Sequence, residues 1–140
     1  MAQQEAKEIF LFDNEIADLE LMCNALRKEG YKALPTSGYR SGIHRFRLYS
    51  GCFDSLVTAV SLPSEASCEL AKTLLALHPS LKVIFISSPS EAAVCHRDQI
   101  LGQWVHFLEK PLDLEEFISL VRLIRGPRSW VRPMSAASVA

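Results

Sequence analysis

Glycine is scarce in this chain, six residues in 140, and none lies in the turn that follows the first apolar run. That turn, Asp13-Asn14-Glu15-Ile16-Ala17-Asp18, is acidic. A phosphate cradle needs glycine and bare backbone N–H groups, which argues against an FMN or other nucleotide cofactor. A surplus of one charge is also lacking, with 15 basic against 16 acidic residues. Nothing in that balance favours nucleic acid or an anionic membrane as partner. No apolar stretch approaches the roughly 20 residues that span a bilayer. The N-terminus, Met1-Ala2-Gln3-Gln4-Glu5, has no signal-peptide core. A cytoplasmic protein is expected. The four cysteines, Cys23, Cys52, Cys68 and Cys95, form no C-x-x-C pair and have no histidine at zinc-finger spacing. They are expected as buried or half-buried free thiols. His44, His78, His96 and His106 have no metal spacing either. No catalytic triad is visible, so the chain is not expected to be an enzyme.

What is present is a series of four short apolar runs, each stopping at a small polar cluster. Ile9-Phe10-Leu11-Phe12 runs into Asp13-Asn14-Glu15, and Leu56-Val57-Thr58-Ala59-Val60 into Ser61-Leu62-Pro63. Val83-Ile84-Phe85-Ile86 ends at Ser87-Ser88, and Trp104-Val105-His106-Phe107-Leu108 at Glu109-Lys110-Pro111. Short apolar runs spaced by helix-length segments read as buried parallel strands. Ligands of open α/β sheets bind beyond the carboxyl ends of the strands. Asp13, Ser87 and Lys110 are therefore expected to converge. The third strand brings Ala59 to that point, where a carboxylate would otherwise complete the site.

Periodicity fills in the rest. Strands are expected at 8–12, 31–35, 55–60, 82–86 and 104–108. Helices are expected at 16–29, 39–49, 66–77, 91–101 and 112–124. Gly30 is the expected stop of the first helix. The second helix looks weak, interrupted by Gly42 and crowded by Arg40, His44, Arg45 and Arg47. Those cations read as a solvated face. Ser88-Pro89-Ser90 signals the start of the fourth helix. The order is (βα)5, an α/β doubly wound parallel five-stranded sheet with no second domain. The tail, 126–140, reads as a linker remnant or frayed terminus.

Asp13-Asn14-Glu15, the segment Phe53-Asp54-x-x-Val57-Thr58-x-Val60-x-Leu62-Pro63, Val83-Ile84-Phe85-Ile86-Ser87 and Phe107-Leu108-Glu109-Lys110-Pro111 fall in one register over residues 7–125. In this the chain resembles the response regulator receiver domain of the CheY-like superfamily. The resemblance implies a flavodoxin-like sheet of strand order 2-1-3-4-5. It also implies a two-component phosphorelay, in which a histidine kinase phosphorylates an Asp after the third strand. Asp13 then matches the first acidic residue of the Mg²⁺ pocket, and Asn14 stands where the second is usual. Ser87 and Lys110 match the residues that contact phosphoryl oxygens. Phe107 matches the switch aromatic, and a cis bond is implied at Lys110-Pro111. Ala59 takes the phosphoacceptor position, and Ser67 the place of a customary glycine.

A methyl group cannot form an acyl phosphate. Mg²⁺ favours about six oxygen ligands, carboxylates above all, so binding is expected to be weak. Asp13 reads either as a residual metal ligand or as a helix cap and partner of Lys110. Lys110, lacking its usual carboxylate, is expected to turn to Asp13 or solvent. Thr58 should face away from Ala59, and neither Thr58 nor Ser61 has a base nearby to make it a substitute acceptor. The chain thus reads as a pseudo-receiver, a phosphorylation-independent protein-interaction module. Its expected partners are a histidine kinase, a phosphotransfer protein or an output protein, or a second copy through the last helix and strand. Trp104 is read as core or edge packing of that strand, with a place on the signalling surface as the alternative. The alternatives are an acceptor receiver carrying an engineered Asp-to-Ala change and a receiver cut from a hybrid histidine kinase. Asn14 and Ser67 are further departures and favour natural degeneracy.

Overall fold

The computed structural model describes residues 8–13, 15–48, 52–60, 65–97 and 105–125, with backbone alone over 94–97. Strands and helices alternate: β1 (Glu8–Phe12), α1 (Ile16–Lys28), β2 (Ala33–Thr36), α2 (Tyr39–Leu48), β3 (Phe53–Ala59), α3 (Ala66–Leu77), β4 (Lys82–Ser87), α4 (Pro89–Arg97), β5 (Val105–Glu109) and α5 (Leu114–Arg125). All strand pairs are parallel, in the order β2-β1-β3-β4-β5. This is the expected doubly wound sheet. Asn14, Ser61, Leu62, Pro63, Cys95, His96, Trp104 and the tail lie, wholly or in their side chains, outside the described residues.

Strand alternation divides the core in two. Ile9, Leu11, Val57, Ala59, Ile84, Ile86 and Leu108 face α1 and α5, meeting Leu19, Met22, Leu26, Phe117 and Val121. Phe10, Phe12, Leu56, Val83 and Phe85 face the other way, onto Phe46 of α2 and Leu70, Ala71 and Leu74 of α3. Phe46 stacks on Phe53 at 5.8 Å, and Phe10 meets both rings edge-on. An apolar stripe on each helix and an alternating apolar strand are thus satisfied together.

Local signals set the helix ends. Gly30 has φ +89°, its N–H donates to the Arg27 carbonyl, and the Tyr31 N–H donates to the Leu26 carbonyl. This is a Schellman stop, and it needs the left-handed conformation that glycine adopts cheaply. Asp113 caps α5, its Oδ1 accepting from the N–H groups of Glu115 and Glu116 at 2.9 and 3.2 Å. Gly42 does not interrupt α2. It is buried, and a Cβ there would lie 3.4 Å from the Leu70 side chain. The missing side chain therefore lets α2 approach α3. Arg40, His44, Arg45 and Arg47 are exposed, as a solvated face should be. Cys23 and Cys68 are buried free thiols, whereas Cys52 is exposed.

At the amino end of the sheet, Arg125 reaches Asp54 of β3 with two hydrogen bonds, 3.1 Å from Nε and 3.0 Å from Nη2. The same guanidinium lies 5.4 Å from the centre of the Tyr31 ring. Arg122 pairs with Glu29. These contacts fix α5 against the sheet and leave the opposite, carboxyl edge open for the site.

Candidate functional site

The strand order reverses between β1 and β3, and a crevice opens there at the carboxyl edge. It is a depression of about 680 Å³ lined by Asp13, Glu15, Asp18, Leu21, Met22, Ala59, Ile86, Lys110, Pro111, Leu112 and Leu114. Asp13, Ala59 and Lys110 therefore meet in one place. Ser87 ends the neighbouring strand but does not line the depression. Its carbonyl accepts the Lys110 backbone N–H at 3.0 Å, and its side chain is buried.

Asp13 is 1% exposed. Its Oδ1 accepts the Glu15 N–H at 2.9 Å. Among the described residues Oδ2 has no hydrogen-bond partner. Burial raises the Asp13 pKa above the ordinary carboxylate value, opposed by the Glu15 bond, while the charges of Asp18 and Glu15 add to the rise. Asp13 is neither the residue preceding α1, which is Glu15, nor the bonded partner of Lys110.

Lys110 corrects the sequence reading. It turns neither to Asp13 nor simply to solvent. Its Nζ donates to the Val60 carbonyl at 2.6 Å and forms an ion pair with Glu91 at 3.1 Å. Glu91 enters from the first turn of α4. The Ser88 N–H donates to Glu91 Oε1 at 2.7 Å, and the Glu91 N–H donates to Ser88 Oγ at 3.3 Å. This reciprocal pair is a capping box, with Pro89 at the first helical position. The helix consequently starts at Pro89 instead of residue 91. Desolvation pushes the Glu91 pKa up, but the Ser88 and Lys110 bonds together outweigh it and hold the carboxyl below its ordinary value. The S-x-x-E spacing was the signal in the sequence for this residue. What no spacing announces is that the capping carboxylate also supplies the counter-charge of Lys110.

Behind Ala59 lies a second network. Thr58 is fully buried and faces away from Ala59, as alternation requires. Its hydroxyl donates to Ser67 Oγ at 2.8 Å, and the Ser67 hydroxyl donates to the Ala59 carbonyl at 2.5 Å. Thr58 is thus a structural donor, and Ser67 ties the start of α3 to the end of β3. Phe107 is half-buried and stacks on Phe85 at 5.4 Å with an interplanar angle of 21°. Lys110-Pro111 is cis.

The receiver-type Mg²⁺ set does not fit these residues. The Asp13 Oδ2 is free to ligate, but Ala59 offers a methyl where an oxygen is required. No group of three His, Cys, Asp or Glu side chains among the described residues is arranged to hold a metal ion. The apolar floor suits a hydrated divalent ion poorly.

Comparison with solved structures places the architecture. The CheY4 chemotaxis response regulator of Vibrio cholerae superposes with a TM-score of 0.72, covering 86% of this chain and 99% of that one at 13% identity. A response regulator receiver protein from Pseudomonas putida gives 0.70 at 22% identity, covering 86% and 99%. The fold is that of a response regulator receiver domain. The receiver domain of the hybrid histidine kinase CckA agrees, with a TM-score of 0.68 at 23% identity over 84% of this chain and 97% of that one. Among curated proteins, the DNA-binding transcriptional regulator NtrC of Bradyrhizobium sp. (strain RP501 Parasponia) is 28% identical over 127 residues, 90% of this chain and 26% of that protein. The transcriptional regulatory protein CreB of Escherichia coli (strain K12) is 33% identical over 84 residues, 57% of this chain and 35% of that protein. The chain thus spans a quarter to a third of the length of these relatives. No protein-family model matches it. No helix among the described residues is long and apolar enough to cross a membrane.

Proposed function

We propose that residues 7–125 form a receiver-type signalling module of a two-component system in which phosphoryl acceptance has been lost. One observation carries this reading. At the acceptor position stands Ala59, and the lysine that would face an acceptor carboxylate is bound to Glu91 and the Val60 carbonyl. Among the described residues, the end of β3 presents a methyl group and no nucleophile to that depression. Thr58 is buried on the other face with its proton engaged. Function then runs through protein contacts in the cytoplasm, with a histidine kinase, a phosphotransfer protein or an output protein as partner. The surface we assign to it is α4, β5 and α5. There β5 is a sheet edge, and Leu123 of α5 is 80% exposed. The same surface suits a homodimer.

The test is intact mass after incubation with acetyl phosphate and Mg²⁺. An unchanged mass is expected. Gain of one phosphoryl group would overturn the reading, and loss of that gain in Ser61→Ala or Ser87→Ala would identify the acceptor.

A further inference from the structure

The depression at the switch point has kept its shape while its chemistry has changed. Three carboxylates line it, Asp13, Glu15 and Asp18, against one cation, Lys110. That cation is already neutralised by Glu91, from outside the lining. The ion pair of Lys110 is thus spent on Glu91, and its charge reaches Asp13 only at longer range. Asp13 is buried to 1% exposure, and its Oδ2 has no hydrogen-bond partner among the described residues. A buried, unmatched carboxylate oxygen is costly, and a donor placed against it recovers that cost. The rest of the lining is apolar. Ala59, Ile86 and Met22 come from the sheet and α1, while Leu112 precedes α5 and Leu114 begins it.

We infer that this depression binds a small organic cation, a protonated primary amine on an apolar body. The ammonium donates to Asp13 Oδ2, and Glu15 and Asp18 add long-range attraction. The hydrocarbon lies along Leu112, Leu114 and Ile86. Mg²⁺ would find one buried carboxylate and a methyl floor, and it gives up its waters reluctantly. An alkylammonium gains from both halves of the lining: a charge-assisted hydrogen bond from one, apolar burial from the other. Burial, with smaller contributions from the charges of Asp18 and Glu15, raises the Asp13 pKa, and the same ligand offsets those like charges. The inference stands on the lining residues alone and holds whether or not the chain accepts a phosphoryl group.

The test is an amide NMR titration of the whole chain with n-butylammonium and n-hexylammonium, with hexanol, hexanoate and Mg²⁺ as comparisons. Saturable shifts are expected at Leu21, Met22, Leu112 and Leu114. Affinity should rise about fourfold for each fully buried methylene. Asp13→Asn should weaken hexylammonium about tenfold or more, since it removes the charged acceptor. Ala59→Leu fills the floor without altering a charge and should abolish the shifts while leaving the remaining spectrum folded. Equal binding of hexanol, displacement of the amine by millimolar Mg²⁺, or unchanged affinity in Asp13→Asn would each overturn the inference. So would the absence of saturable shifts with either amine.

Discussion

Glu91 carries two duties through one carboxylate, and they can be separated by substitution. Glu91→Ala removes the capping acceptor of the Ser88 N–H and the partner of Lys110 together. Loss of a cap costs about 1 kcal/mol. The ion pair is partly shielded, with side-chain exposures of 15% for Glu91 and 32% for Lys110. A charge-assisted pair of that exposure is worth about 1 kcal/mol, discounted for solvent. The sum is about 2 kcal/mol. For a folded unit of about 120 residues, that lowers Tm by about 8 °C. Glu91→Gln keeps an oxygen for Ser88 and loses only the charge, so about half the fall is expected. The pH dependence has a definite sign. The Glu91 carboxyl is held below its ordinary value of 4.5 in the folded chain. Its contribution is full above that value and is lost as the pH falls through the folded pKa. The gap between Glu91→Gln and the parent should therefore be open at pH 7 and close in acid. Thermal unfolding at both pH values, with Lys110→Met completing a double-mutant cycle, gives a coupling of about 1 kcal/mol at pH 7. Additive single effects, or Glu91→Gln as stable as the parent at pH 7, would refute the assignment of Glu91 as the counter-charge.

Asp13 should behave in the opposite sense. Its pKa is raised by burial, so ionised Asp13 costs stability at neutral pH, and stability is regained as the pH falls through the folded pKa towards the unfolded one. Asp13→Asn should raise Tm at pH 7 by an amount that fades in acid, and a lower Tm at pH 7 would contradict this. Ser67→Ala leaves the buried Thr58 hydroxyl without its acceptor and should cost about 1–3 kcal/mol in denaturant unfolding, and the double variant with Thr58→Val should cost less than the sum of the two single changes. Arg125→Ala breaks the two bonds to Asp54 and exposes the Tyr31 face, for about 2 kcal/mol, read as a lower midpoint in urea. Ala59→Asp places a second carboxylate beside Asp13 and should lower Tm without Mg²⁺ and recover it with the ion; an Mg²⁺-independent Tm would sink that expectation.

The sheet and most element positions were legible in the sequence because apolar runs and helical stripes are written locally. The third helix, 66–77, agrees to the residue, and the other elements differ mainly at their ends. The misjudged points depend on three-dimensional partners. Gly42 reads as a helix breaker until Leu70 is seen packed over it. Cys52 is exposed because it lies just before β3, outside both core faces. The convergence of Asp13, Ala59 and Lys110 followed from topology alone, since parallel strands carry their carboxyl ends to one edge. The partner of Lys110 did not follow. With no carboxylate at position 59 the sequence reading offered Asp13 or solvent, whereas the ammonium meets a carboxylate on α4, 19 residues away in sequence.

That pairing bears on how this fold holds a lysine beside Ala59 at the end of β3. The backbone of the lysine at this edge is held by its N–H bond to the Ser87 carbonyl, so its position does not depend on an acceptor carboxylate. Its charge does need an anion, because a half-buried ammonium left unpaired is destabilising. Asp13 lies deeper, with Oδ1 on the Glu15 N–H and Oδ2 enclosed, so it would have to reorient to serve. Glu91 is preplaced by the capping box, so little additional side-chain entropy is lost when it also meets Lys110. The result joins α4, the end of β3 and the turn after β5 through one side chain. In an acceptor-bearing receiver that junction would compete with the acceptor carboxylate for the lysine. Here β3 ends at Ala59, which offers no carboxylate, and the junction can serve as a brace for the α4, β5 and α5 surface proposed for protein contacts.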